Sequence, residues 1–228
     1  MKKHRLFLVL LVALTAFSAP GDPPPAAAAA PVLQTLQQKM ASVRSIYLEF
    51  TQERDLKLFS DPLKSEGVML IERPDRIRWE TTAPYQSILL GDQKTVAQFE
   101  FNDGKWEKLK LGFPQLLQRV MQQMAMMNQG ELSTMMSDYT VTVATGATTV
   151  LTLVPKDENV RGVLSSLEIH LAADLTTMQE VVMNEPDGDL TRITFHNERR
   201  DLTFPAGTFD QTKPLDLAAV KAALKNAP

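Results

Sequence analysis

The chemistry-bearing residues of this chain are few, and the histidines come first. Beyond the N-terminal segment there are two, His170 and His196. Each sits beside apolar neighbours, Ile169 and Leu171 around the first and Phe195 before the second, the pattern of side chains facing outward from strands. Neither has a second histidine at ligand spacing, no serine sits in a nucleophile elbow, and no glycine loop is built to cradle phosphate. The acidic residues are scattered through turns and exposed strand positions, so no carboxylate pair offers itself for general acid/base work. No catalytic residue, metal site or cofactor is expected, and the chain reads as a binder and not as an enzyme.

A binding function asks for an apolar wall, few polar groups on it, and a cover. Alternation places Ile46, Leu48 and Phe50 on one face of a strand, Ile77 and Trp79 on a face of another, and Ile88 with Leu90 on a face of a third. The same residues would serve an ordinary sandwich core, and periodicity alone does not choose between a filled and a hollow interior. Arg76 and Arg78 alternate with Ile77 and Trp79 and are expected to point the other way. A cover is offered by the middle of the chain, where Pro114 suits the start of a helix and Leu117, Val120, Met124 and Met127 follow at spacings of three and four, with Gly130 as the stop. Met121, Met124, Met126, Met127, Met135 and Met136 concentrate there, and methionine repacks readily around ligands of differing shape.

The elements that must position these residues are mostly strands. Val32, Leu33, Leu36, Met40 and Val43 recur at helical spacing and predict a first helix over 32–43. Strands are predicted over 45–57, 64–72, 76–81, 86–90, 95–101 and 106–111, the last two joined through Asn102-Asp103-Gly104. Further strands are predicted over 139–144, 148–155, 164–171, 177–184 and 190–199, with a hairpin turn at Pro186-Asp187-Gly188-Asp189. Leu217, Val220 and Leu224 hint at a short C-terminal helix. The expected fold is mainly β: one strongly curved antiparallel sheet of ten or eleven strands, with helices available to cover its concave side.

The start of the chain addresses it for export. A basic beginning (Lys2, Lys3, His4, Arg5), an apolar run from Leu6 to Phe17 and the small residues after it form a signal-peptide pattern, too short to span a bilayer. The expected organisation is a signal peptide at 1–18, a Pro/Ala-rich tether at 19–31, a single domain at 32–213 and a C-terminal helix or tail at 214–228. The chain has no cysteine, so it can carry neither disulfides nor the lipid anchor that bacterial lipoproteins attach to one. Its net charge is −3, and loss of Lys2, Lys3 and Arg5 takes it to −6, which argues against nucleic acid as a partner.

One stretch is denser in information than the rest. Phe50-Thr51-Gln52 ends a strand, Arg73-Pro74 follows the next, then come Trp79, the turn at Pro84 and Ser87-Ile88-Leu89, all within about fifty residues. In order and spacing these resemble the periplasmic lipoprotein carrier family, LolA and its relatives. The resemblance implies an incomplete barrel with a helical lid over an apolar cavity. It implies acylated lipoproteins as cargo, an inner-membrane lipoprotein-releasing ABC transporter and an outer-membrane acceptor as partners, a periplasmic location and a monomeric state. It also implies that Arg73 hydrogen-bonds to the lid and holds the empty carrier closed. Residue Ile77 departs from the pattern, since some members carry an aromatic there. A related carrier of another amphiphile, such as a glycolipid or polyene lipid, and a periplasmic hydrolase on the same scaffold are the alternatives.

Overall fold

The computed structural model describes residues 29–92, 94–110 and 136–225. The expected signal peptide and the expected lid residues Leu117, Val120, Met124 and Met127 lie outside them.

Eleven strands form a single antiparallel sheet that does not close into a barrel. They are β1 (Ser45–Asp55), β2 (Leu63–Glu72), β3 (Arg76–Ala83), β4 (Ser87–Gly91), β5 (Val96–Asn102), β6 (Lys105–Lys108), β7 (Tyr139–Thr145), β8 (Thr148–Pro155), β9 (Ser166–Ala172), β10 (Met178–Asn184) and β11 (Leu190–Arg200). Their order is β6-β5-β4-β3-β2-β1-β11-β10-β9-β8-β7. Two meanders, β1 to β6 and β7 to β11, are therefore sewn together where the first strand meets the last. That seam runs from Ile46 opposite Arg200 to Asp55 opposite Leu190, with one irregularity at Leu48. Asn197 there adopts a left-handed φ of 51°, which Asn tolerates better than most residues. The β5–β6 hairpin turns through Asp103 and Gly104, both at positive φ, as a tight two-residue turn requires.

Three helices that lie wholly within the described residues accompany the sheet: α1 (Ala29–Met40), α2 (Glu158–Arg161) and α3 (Leu217–Lys225). Helix α1 begins inside the stretch expected to be a tether. Ala29 and Ala30 are strong helix formers, and Pro31 is tolerated because a first-turn residue has no intrahelical N–H partner to lose. The short α2 was not expected; Asp157 caps it by accepting from the backbone N–H groups of Asn159 and Val160.

The sheet has two unlike faces. On the inner face, α1 buries Ala29 and Leu33 against Val141, Val143, Leu151, Leu153, Ile169 and Leu171 of β7–β9. Its far end, with Met40 and then Val43, meets Ile46, Leu48, Met69, Ile71 and Ile77 of β1–β3. On the outer face, residues 201–225 return over β1 and β2, where Phe204, Val220 and Leu224 cover Tyr47, Val68 and Leu70.

Candidate functional site

The cross-strand register decides which side chains share a wall, because directly opposed residues point the same way. Ile46, Ile71 and Ile77 are opposed in sequence across β1, β2 and β3. The next row is Leu48, Met69, Trp79 and Leu89, running on into β4. The third row is Phe50 and Gly67, with Phe195 of β11 opposite Phe50 on the other side. These rows make one continuous apolar strip on the inner face, and α1 closes one end of it.

The strip is tied together by a ring contact. The Phe50 and Trp79 rings lie 4.5 Å apart between centroids at 40°, a tilted arrangement that aromatic quadrupoles favour. Phe50 reaches Trp79 by lying over Gly67: a Cβ there would come 2.8 Å from the Phe50 ring tip and 1.9 Å from the Glu80 carbonyl oxygen. Phe50 and Ile77 are buried, while Trp79, Leu89, Val96 and Phe195 keep part of their surface open on this face.

Ile88 and Leu90 do not belong to this strip, and the expectation that they line it with Ile77 and Trp79 is corrected. Ile88 is opposed to Glu80 and Leu90 to Arg78, so both point to the outer face, where they pack with Ala97 and Phe99. Ser87-Ile88-Leu89-Leu90 has three apolar residues in a row, and alternation cannot assign a face to such a run without its neighbours. Leu89, which the sequence reading passed over, is the β4 residue on the inner face. Met69 and Phe195 were also missed, and their alternation with Leu70 and Thr194 gives no sign of which face is inner.

Arg73 sits in the β2–β3 turn. Its guanidinium donates to the main-chain oxygens of Met40, at 2.5 Å, and Ala41, at 3.1 Å. These are end-of-helix carbonyls, which lack intrahelical donors and attract cations. Burial lowers the Arg73 pKa, and nearby Asp201 opposes that shift; the group stays a cation at any physiological pH. The described partners of Arg73 are thus at the C-terminal end of α1.

Arg78 points away from Ile77 and Trp79, as alternation predicts, but it is fully buried and not solvated. It donates from Nε and Nη2 to Glu80 Oε2 at 2.9 and 2.6 Å, and from Nη1 to the Thr208 carbonyl oxygen at 2.9 Å. Burial raises the Glu80 pKa, and Arg78 works against that rise. The group of three pins the C-terminal segment to the outer face.

The two histidines are on the outer face of the sheet. His170 Nε2 lies 3.5 Å from Glu168 Oε2 and 4.0 Å from Glu180 Oε1, and His196 Nε2 lies 3.3 Å from the Thr51 hydroxyl. Neither reaches the apolar strip. Among the described residues one acidic trio, Glu185, Asp187 and Asp189 in the β10–β11 hairpin, brings three carboxylates together. Asp189 is already engaged with the Lys57 backbone N–H at 2.9 Å.

Several known proteins are similar to this chain. A curated outer-membrane lipoprotein carrier protein from Azotobacter vinelandii is 25% identical over 211 residues, covering 92% of this chain and 96% of that one. One from Proteus mirabilis is 37% identical over 70 residues, covering 31% of this chain and 35% of its own length. The match to the first of the curated relatives thus spans about a third of their length. Among solved structures, a LolA superfamily protein from Nitrosomonas europaea shares 9% identity with a TM-score of 0.39, covering 79% of this chain and 98% of that one. A DUF1329 family protein from Desulfovibrio piger shares 8% identity with a TM-score of 0.46, covering 82% and 98%. The family model described as outer membrane lipoprotein carrier protein LolA matches residues 41–212, most of the chain, and the chain belongs to that family.

Proposed function

We propose that this chain is a periplasmic carrier that takes the acyl chains of lipoproteins against its inner face and conveys them across water. Cargo is received from an inner-membrane lipoprotein-releasing ABC transporter and given up at the outer membrane or to an acceptor there. The observation that carries this reading is the apolar strip of Ile46, Leu48, Phe50, Met69, Ile77, Trp79 and Leu89, with α1 across one end and a single arginine holding that helix. Membership of the carrier family supports it.

The energetics call for such a wall. At about 0.8 kcal/mol per methylene, one sixteen-carbon chain in water costs on the order of 12 kcal/mol. An apolar face with a helical cover offsets that cost. A cover held shut by hydrogen bonds also weakens the grip, because the free energy of opening is subtracted from that of acyl binding. Delivery to a tighter acceptor then needs no energy source in the carrier itself.

The strip is suited to holding a ligand and carries no side chain that would transform one, so we assign no catalytic role to His170 or His196. The export signal expected at 1–18 fits a periplasmic carrier. Native mass spectrometry of the protein purified from periplasm tests the reading. Adducts with the mass of acylated lipoprotein are expected. A glycolipid adduct in their place assigns another cargo, and a chain that stays empty with every lipoprotein offered overturns the proposal.

A further inference from the structure

The strand directions divide the sheet into two rims. One carries the β1–β2, β3–β4, β5–β6 and β10–β11 turns and the β8–β9 connection, and the other carries the β2–β3, β4–β5, β7–β8 and β9–β10 turns with Arg73. Every large apolar side chain that stands exposed among the described residues lies at the first rim. Leu58 is 93% exposed, Phe59 57%, Tyr85 65%, and Leu63 and Phe101 are also open. Val154 and Val163, at the end of β8 and in the loop after α2, complete the set. Among the described residues the rim with Arg73 has none.

We propose that this first rim is a surface for docking onto a lipid bilayer, with Leu58 and Phe59 entering the interface and Tyr85 and Phe101 resting at it. Three features favour a bilayer. From β1 to β6 the apolar residues stand at loops and strand ends spread over about 24 Å at a strand spacing of ~4.8 Å, and the small cavity at the β1–β2 loop takes in Phe59 alone of them, so they do not line one groove for a folded partner. The β1–β2 loop is built to present its tip: the Phe59 N–H donates to the Leu56 oxygen at 2.9 Å, and the Lys57 N–H to Asp189 Oδ1 at 2.9 Å. Leu58 is thereby held outward although water does not reward it. Arg54, Lys64, Lys105 and Arg161 near the tips each have a carboxylate partner, Glu185, Glu53, Glu107 and Glu158; Lys156 donates to the Met136 main-chain oxygen, and Lys57 lies against Gly188. A rim with apolar tips, where Lys57 stands outside these pairs as one charge and not as a basic cluster, matches a zwitterionic lipid surface better than an anionic one.

The inference goes beyond the carrier reading, because it concerns an empty bilayer and needs no cargo. Lacking cysteine, the chain accepts single labels. Flotation with phosphatidylcholine/phosphatidylethanolamine vesicles is the test, together with an environment-sensitive fluorophore at Leu58→Cys and, as a control on the opposite rim, at Ala147→Cys. The full chain should float with these neutral vesicles. The Leu58 label should shift to the blue while the Ala147 label does not. Leu58→Asp/Phe59→Asp, both exposed and neutral to folding, should lower the bound fraction by roughly tenfold or more, since each apolar side chain of this size alters partition by about that factor. Absence of flotation overturns the proposal, as does flotation that survives the double substitution or that requires anionic lipid. Self-association in the ultracentrifuge that the same substitutions abolish, without vesicle binding, assigns the rim to a second copy of this chain. Acyl-probe binding by the double variant is read separately, so failure here leaves the carrier reading standing.

Discussion

The Arg73 guanidinium donates to the main-chain oxygen of Met40 over 2.5 Å, so a turn residue between β2 and β3 holds the last residue of α1. The contact joins the helix that covers the inner face to the sheet that forms it. Because the acceptors are exposed or half-buried carbonyls at a helix end, losing the donor leaves them to water and costs the fold little.

Arg73→Leu is therefore expected to fold with a midpoint near that of the parent chain and to differ in function. In the proposed carrier cycle the substitution weakens the closed empty state, so cargo should bind at least as well and leave more slowly. Lipoprotein should accumulate on the variant and transfer poorly to an acceptor. Purified complexes and single-turnover transfer assays measure both. Unchanged release kinetics would remove Arg73 from the mechanism.

A charge on the inner strip separates the carrier role from the fold. Leu89 lies beside Trp79 and keeps part of its surface open, so Leu89→Asp places a carboxylate where an acyl chain would rest without deleting a buried side chain. Burying that carboxylate against hydrocarbon is strongly unfavourable. Binding of a fluorescent fatty-acyl probe should fall by at least about tenfold, which at 1.4 kcal/mol per decade is well within the cost of an unpaired buried charge. Far-UV circular dichroism should not change. Probe binding at parental strength would move the binding surface elsewhere.

Gly67 exists to let Phe50 pass. A methyl group there would overlap the Glu80 carbonyl at 1.9 Å and the Phe50 ring at 2.8 Å. The ring can swing aside, but the β3 backbone cannot, so the strands must part. Gly67→Ala should destabilise the chain by about 2 kcal/mol or more, as overpacking of a filled site does, and should quench or shift the Trp79 emission as the Phe50 contact opens. Chemical denaturation and fluorescence read the two effects. A variant of parental stability would show that the close approach is not what the site requires.

Local signals in the sequence were strong enough to find the strands. Apolar patterning between turn residues marked all eleven, Asp103-Gly104 and Asp187-Gly188 marked their hairpins, and the order of Phe50-Thr51-Gln52, Arg73-Pro74 and Trp79 pointed to the family. What was not legible depended on contacts far apart in the chain. The pairing of β1 with β11 joins Phe50 to Phe195, and nothing between them announces it. Ile88 and Leu90 were given the wrong face because Ile88-Leu89-Leu90 reads the same in either register, and only the opposition of Trp79 to Leu89 settles it. Arg78 followed its alternation, but its burial depends on Glu80 beside it and on Thr208 more than a hundred residues later. The gathering of Leu58, Tyr85 and Phe101 at one rim emerges only once strand directions are known.

The β1–β11 seam makes the final prediction, which concerns acid. Glu49 Oε2 accepts from Asn197 Nδ2 at 2.6 Å, and its Oε1 accepts from the Tyr47 hydroxyl at 3.0 Å. The Asn197 amide holds the Glu49 carboxyl below its ordinary range, with help from Tyr47 and against partial burial. The Tyr47 hydroxyl is raised in turn, by burial first and then by this hydrogen bond. A carboxyl with a lowered folded pKa releases its proton more readily when folded, so the unfolded chain binds more protons across that window. Its contribution is present above the ordinary carboxylate range and is lost as pH falls through the folded value. Glu49→Gln should therefore cost about 1 kcal/mol or less at pH 7, the scale of a half-exposed charged hydrogen bond. The gap to the parent chain should close on acidification. Urea unfolding of both proteins at neutral pH and near pH 3.5 measures it, and a gap that stays constant or widens in acid would show that Glu49 does not stabilise the seam through its charge.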